Sequence, residues 1–370
     1  MKIAIQAADL DDKRIDGTRV YILNLLKLFG RLGKTDQFLI YHRDAFNLEL
    51  TPPDFQNYII RQKPFPFIWS QIRFAFEIWK DKPEILWMPM QALPIFRRKK
   101  LRTAITIHDL AFKYFPDFFP RRDLWKLNFL TDYAIRNANK IIAVSESTRE
   151  DILKFYPNIN PEKIRVIHHG FDGELFSQKV SSEELENFLS TNYKLQTKNY
   201  LLYVGALQPR KNLGVLIEAF EKVKLNHPDL KLVLVGEKAW LWKDILEKIK
   251  KSPVRKDILL PGKLSFKEVC FFYQGASAFI FPSLYEGFGL PILEALAMEV
   301  PVISANNSSL PEVGGEAVLY FKNQKELVCQ LENLLGNRNL REELRKKGYE
   351  QLKKFSWEKC AQETLDFIKN

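Results

Sequence analysis

The chain has little cysteine and no long apolar run. Its 370 residues hold three cysteines, Cys270, Cys329 and Cys360, too few and too scattered for a disulfide framework or a zinc cage. That fits a reducing compartment, with the cytosol as the expected location. No stretch approaches the ~18 consecutive apolar residues of a membrane-spanning helix. The opening Met1-Lys-Ile-Ala-Ile-Gln6 is too short in apolar content for a signal peptide, so nothing here is expected to span a bilayer. Short-period repeats and low-complexity tracts are also missing. Only five histidines occur, and the adjacent pair His168-His169 has no cysteine or carboxylate in metal-ligand spacing; both read as structural.

Hydrophobic residues make up 46% of the chain, enough for packed cores, and the length points to about two domains. Short β-branched runs alternate with helical text. The first series is Ile3–Ile5, Ile85–Trp87, Ala104–Ile107, Ile141–Val144 and Val166-Ile167. The second is Leu201–Val204, Leu232–Val235, Ile258–Leu260, Phe279–Phe281 and Val302-Ile303. Such alternation predicts an α/β protein of two doubly wound, Rossmann-like domains with parallel sheets covered by helices. The polar stretch 177–198 carries no strand signal, and the boundary is placed there, with domains over 1–176 and 199–356. Ligands of such sheets bind outside the carboxyl ends of the strands, so two facing domains would hold theirs in a cleft.

Phe281-Pro-Ser-Leu-Tyr-Glu286-Gly-Phe-Gly-Leu-Pro-Ile-Leu-Glu294 sets two carboxylates eight positions apart around a glycine-bracketed turn. The preceding run reads as a buried strand, and Pro291 has its favoured place in the first turn of a helix. Glu286 is then expected at the mouth of a strand-to-helix crevice, with Glu294 one turn into the helix. The N–H groups of Gly287, Phe288, Gly289 and Leu290 would offer a positive end to phosphate oxygens. Arg210-Lys211 follow another buried strand and the turn Gly205–Pro209, and are expected to open a helix. Two cations at a helix N-terminus oppose its dipole unless an anion shares the site, and a nucleotide diphosphate would relieve that conflict.

These motifs resemble a known family. The Glu-x7-Glu segment with Gly-Phe-Gly-Leu-Pro inside it is similar to the donor-site signature of retaining glycosyltransferases of the GT-B fold, family 4. Pro301-Val-Ile-Ser, Ser309–Gly315, Tyr203–Leu213, Ile107-His-Asp-Leu-Ala111 and Ala143–Ser147 extend the likeness over roughly residues 1 to 368. The resemblance implies a metal-free transfer of a hexose, with mannose the expected sugar from the Gln208–Asn212 region. The donor is a nucleoside-diphosphate sugar, used as substrate with no resident cofactor, and the acceptor is a glycan or lipid-linked saccharide. It further implies that Glu294 accepts hydrogen bonds from the donor ribose, that Glu286 and His108 bind the donor sugar, and that the final helix, 357–368, returns to the amino-terminal domain. Where relatives often carry two glycines before the first helix and a basic residue after the strand glycine, this chain has Gly17 alone and Ala206. Close backbone approach to a phosphate is then expected only at Gly17. Two alternatives fit the same residues: a sugar-nucleotide epimerase, and a silent sugar-nucleotide-binding subunit.

The net charge of +11 is unevenly shared. Residues 1–176 carry 28 Lys and Arg against 21 Asp and Glu, a balance of +7. The densest block is Arg97-Arg98-Lys99-Lys100-Leu101-Arg102, with Phe118–Lys126 close behind. The expected partner is an anionic membrane face, giving a peripheral protein; nucleic acid is not expected, because no recognition motif accompanies the charge. Three lookalikes are set aside. Gly30-Arg-Leu-Gly33-Lys-Thr35 is two residues short of a phosphate loop and reads as a helix end. Asp9-Leu-Asp11 has the form of a metal-binding pair but follows the first strand, outside the other motifs. Gly287-x-Gly289 lacks the third glycine of a dinucleotide fingerprint.

Overall fold

The computed structural model describes residues 1–13, 16–173, 176 and 179–370. Two compact units divide the chain, Met1–Gly170 with Phe355–Asn370, and Phe171–Lys354. The stretch expected as a linker falls in the second unit. Ser177 and Gln178 lie outside the described residues, while Ser182–Tyr193 form a helix capped by the Ser181 side chain. The final helix, Trp357–Lys369, belongs to the first unit.

The first unit is a seven-stranded parallel sheet of β1 (Lys2–Gln6), β2 (Gln37–His42), β3 (Tyr58–Gln62), β4 (Ile85–Met88), β5 (Arg102–Ile107), β6 (Lys140–Ala143) and β7 (Ile164–Val166), in the order β3-β2-β1-β4-β5-β6-β7. The second holds six parallel strands: β8 (Tyr200–Val204), β9 (Lys231–Val235), β10 (Ile258–Gly262), β11 (Ala278–Phe281), β12 (Val302–Ala305) and β13 (Val318–Phe321), in the order β10-β9-β8-β11-β12-β13. Both are doubly wound. Strand order reverses between β1 and β4 in one sheet and between β8 and β11 in the other, and the crevice at such a reversal is where ligands of open α/β sheets bind.

Sequence patterning missed β2, β3 and β13. The last two are edge strands, half exposed and therefore without a continuous apolar run, and β2 mixes tyrosine and histidine into its apolar text. The central strands are buried on both faces, as their aliphatic runs require.

Candidate active site

In the second unit, β8 ends at Val204 and its loop leads to the short turn Pro209–Lys211; β11 ends at Phe281 and its loop leads to Glu286. Contrary to the sequence expectation, Arg210 and Lys211 do not open the following helix. Asn212, at φ 54°, separates their turn from the helix Leu213–Val223, so the anion they need is not a matter of that helix's dipole. It is already present: the Glu286 carboxylate accepts a bond from the Lys211 ammonium and lies 3.3 Å from the Arg210 guanidinium. All three side chains are 11–16% exposed. Burial alone would push the Glu286 carboxyl up, but Lys211 and Arg210 together hold it below the ordinary carboxylate value. Arg210 also donates to the Tyr285 carbonyl, and the Lys211 ammonium lies 5.3 Å from the centre of the Phe281 ring.

The loop carrying Glu286 is fixed by a segment that sequence reasoning passed over as a site. The Glu286 N–H donates to the Ser308 hydroxyl at 3.0 Å, the Ser309 hydroxyl lies 2.9 and 2.7 Å from the carbonyls of Glu286 and Phe288, and the Asn307 amide donates to Ser283. The run of four polar residues Asn306-Asn-Ser-Ser309 directly after a buried strand is the signal that could have found them.

Gly289, at φ 113°, makes the sharp entry to the helix Leu290–Ala297, a conformation open to glycine and costly for other residues. The expected row of helix N–H groups is shorter than the sequence implied. Gly287 and Phe288 precede the helix, Pro291 has no N–H, and that of Ile292 bonds to the Gly289 carbonyl; Leu290 is the first helical residue. Glu294 accepts a bond from the Tyr273 hydroxyl at 2.9 Å. Burial pushes its carboxyl up to about 7, with the Tyr273 hydroxyl opposing. Tyr273, fully buried, was not foreseen, because it reads as core in the helix Phe266–Gly275.

In the first unit, His108 stands at the carboxyl end of β5 and lies 2.8 Å through Nε2 from the Pro89 carbonyl at the end of β4. A carbonyl only accepts, so Nε2 carries the proton and Nδ1 the lone pair in the neutral ring. Burial lowers its pKa against the pull of Pro89 and of the Asp109 and Asp16 charges. His169 stacks on Tyr21, 4.6 Å between centroids, and Tyr21 also meets His108 edge-on. Gly17 is the first residue of the helix Gly17–Leu32, capped by Asp16, whose carboxylate also pairs with Arg19 at 2.6 Å. Arg19 further reaches Asp12 and the Asp9 carbonyl; Arg14 and Ile15 lie outside the described residues.

The lookalikes have structural partners. Gly33 caps that same helix. Asp11 accepts the N–H groups of Arg43 and Asp44, both at 2.8 Å. Among the described residues no three His, Cys, Asp or Glu side chains converge as metal ligands would. The basic block is partly consumed: Arg97 bonds Pro94, Tyr133 and Asn137, and Arg102 bonds the Lys369 carbonyl at the end of the final helix. No helix among the described residues is long and apolar enough to cross a membrane.

Two parallel α/β sheets, each reversing its strand order, with cations and carboxylates gathered at the strand ends of the second, define a GT-B glycosyltransferase architecture. The Anabaena protein HepE, solved in complex with UDP and glucose, shares that fold over 100% of both chains, with a TM-score of 0.76 at 15% identity. Residues 15–175 match the model of glycosyltransferase family 4, and residues 186–351 match that of glycosyl transferases group 1. The two matches together span most of the chain, and the chain belongs to this glycosyltransferase family. It is similar to O-antigen chain mannosyltransferase B of Escherichia coli, 29% identical over 72% of this chain and 70% of that one. It is also similar to O-antigen chain mannosyltransferase RfbU of Salmonella typhimurium, 27% identical over 65% of each chain. The match thus spans just under two thirds of the second relative's length.

Proposed function

We propose that this glycosyltransferase moves a hexose, mannose by preference, from a nucleoside-diphosphate sugar onto a glycan or lipid-linked saccharide, with retention at the anomeric carbon and without a metal ion. The observation that carries the reading is the buried cluster of Lys211, Arg210 and Glu286 at the carboxyl ends of β8 and β11. Two cations against the Glu286 carboxylate leave one positive charge in excess, a site held ready for a competing dianion. The donor diphosphate takes the cations, and Glu286 is released toward the sugar hydroxyls. Mannose is supported by the two mannosyltransferase relatives.

As the glycosidic bond breaks, negative charge grows on the diphosphate, and Lys211 and Arg210 stabilise it in a water-poor setting, where such groups act most strongly. They do the work that a divalent cation does elsewhere. Glu294 accepts from the ribose hydroxyls, the N–H groups around Leu290 assist at the phosphate, and Gly17, at the start of its helix, is the backbone point of close approach. His108, by its place in the family motif, binds the donor sugar. Inversion would need a general base on the acceptor side, and double displacement a carboxylate free to attack. Glu286, by its place in the family motif, is engaged with the sugar hydroxyls and fills neither role. The remaining route is entry of the acceptor on the face the diphosphate leaves. The anomeric carbon–phosphate oxygen bond breaks, the bond to the acceptor oxygen forms, and the acceptor's proton passes to the departing phosphate oxygen.

The test is proton NMR of the first sugar released from GDP-mannose by the full chain, with and without chelator. Early time points should show the donor's anomeric configuration at an undiminished rate. An inverted product, or activity lost to chelator and restored by manganese, contradicts the mechanism.

A further inference from the structure

The helix Arg73–Asp81 of the first unit is apolar on both sides. Phe74, Ala75 and Ile78 point into the core, as an amphipathic helix requires. Ile72, Phe76 and Trp79, at i, i+4 and i+7, form a second stripe that is 50, 55 and 51% exposed. Phe96, 72% exposed, joins Gln71, Ile72, Ala75, Phe76 and Trp79 in lining a groove of about 450 Å³. Phe67 and Ile68, just ahead of the helix, are also exposed. Monomeric soluble proteins rarely leave a contiguous apolar surface of this kind open unless it meets something.

The charges around it say what. Every nearby carboxylate is engaged: Glu77 with Arg73 at 2.8 Å, Asp81 with Tyr41 and Arg61, and Glu84 with the Lys2 N–H. Lys80 and Lys82 follow Trp79 in the chain, Lys99 and Lys100 follow Phe96, and all four are exposed and make no ion pair among the described residues. Lysine is depleted at protein–protein interfaces, which disfavours a second copy of the chain. Exposed aromatics with unpaired lysines match the boundary of an anionic bilayer, where rings enter the acyl edge and long stems carry ammonium groups to the phosphates.

We propose that this face seats the first unit on an anionic lipid surface, with Phe67, Ile72, Phe76, Trp79 and Phe96 entering the apolar layer. The inference goes beyond the donor chemistry and stands whether or not that reading holds. Of the basic block it uses Lys99 and Lys100, whereas Arg97 and Arg102 are occupied within the fold.

The experiment is co-sedimentation of the full chain with phosphatidylcholine vesicles, alone or mixed with phosphatidylglycerol. Binding is expected on the anionic vesicles only. The double substitution Phe76→Ser/Trp79→Ser should weaken it about tenfold or more, and Lys99→Ala and Lys100→Ala about fivefold each. Nucleotide binding, measured alongside, should not move in any of these variants. Equal sedimentation with neutral and anionic vesicles overturns the proposal, as does undiminished binding of the serine variant. Self-association of the unmodified chain that the serine variant abolishes, with no vesicle binding, would assign the face to a second copy instead.

Discussion

Lys211 lies beside the Phe281 ring and Lys99 follows Phe96 by three residues in sequence, and the two regions treat their lysines in opposite ways. Lys211, 11% exposed, is held between Glu286 and the Phe281 ring. Lys99 stands in water three residues after the open Phe96. Inside the second unit an ionised group survives only with a counter-charge, so its working capacity is to exchange one anion for another. On the first unit's face the apolar groups lack cover and the lysines lack counter-ions. Of the nineteen exposed large apolar side chains among the described residues, thirteen belong to the first unit, so the asymmetry belongs to the unit as a whole. The lesson is that charge which is buried and paired at strand ends points to chemistry, whereas charge which is open and mixed with exposed rings on a helix and its neighbouring loop points to docking.

Breaking the buried side of this comparison should have the largest effect. Glu286→Ala leaves two cations without their carboxylate, and removing one partner of a buried pair costs about 3–5 kcal/mol. A lower urea midpoint with an unchanged slope would register it. Lys211→Ala should cut donor turnover by about 10²–10³, whereas Lys99→Ala should leave donor hydrolysis as it was. Steady-state rates on GDP-mannose separate the two, and near-normal turnover in Lys211→Ala would place the leaving-group role elsewhere.

A pH series sharpens the buried side at smaller amplitude. Glu294 titrates at about 7 in the fold against an ordinary 4.5, because burial penalises its charge. A carboxyl whose folded pKa is raised holds a proton that the unfolded chain has already released. The stabilisation is therefore complete below about 4.5 and is lost as pH rises through 7. Thermal melts should show the unmodified protein losing stability across that window relative to Glu294→Gln. Nucleotide affinity should rise as pH passes through about 7, where the acceptor carboxylate forms in the folded chain. The smallest effect belongs to the open face: Phe76→Ser should change stability by no more than about 0.5 kcal/mol, because Phe76 has little packing to lose. A large loss on melting would mean that the stripe is covered within the fold.

Much of the carboxy-terminal site was legible, for a physical reason. Glu286, Arg210 and Lys211 sit in the loops that follow aliphatic strand runs, and in a doubly wound sheet the ends of neighbouring strands converge; Glu294 lies further on, inside the next helix. The pairing of Lys211 with Glu286 was not legible, because the residues are 75 apart in sequence and only the adjacency of β8 and β11 joins them. The same holds for His108, whose Nε2 partner comes from the end of neighbouring β4. Periodicity hid the docking face: Phe74, Ala75, Phe76, Ile78 and Trp79 crowd one short helix, and sequence alone does not say which of them the core accepts. The basic block looked uniform as a string, but folding divides it by reach, turning Arg97 and Arg102 inward to backbone carbonyls.

Calorimetric titration of GDP into the unmodified chain, Lys211→Ala and Glu286→Gln tests the central claim, that the diphosphate takes the place of an internal carboxylate. GDP carries no sugar for Glu286 to bind, so removing that carboxylate's charge removes only a competitor. Glu286→Gln should bind GDP at least as tightly as the unmodified chain, and Lys211→Ala should bind it far more weakly. Equal weakening in both variants, or unchanged affinity in Lys211→Ala, would contradict it.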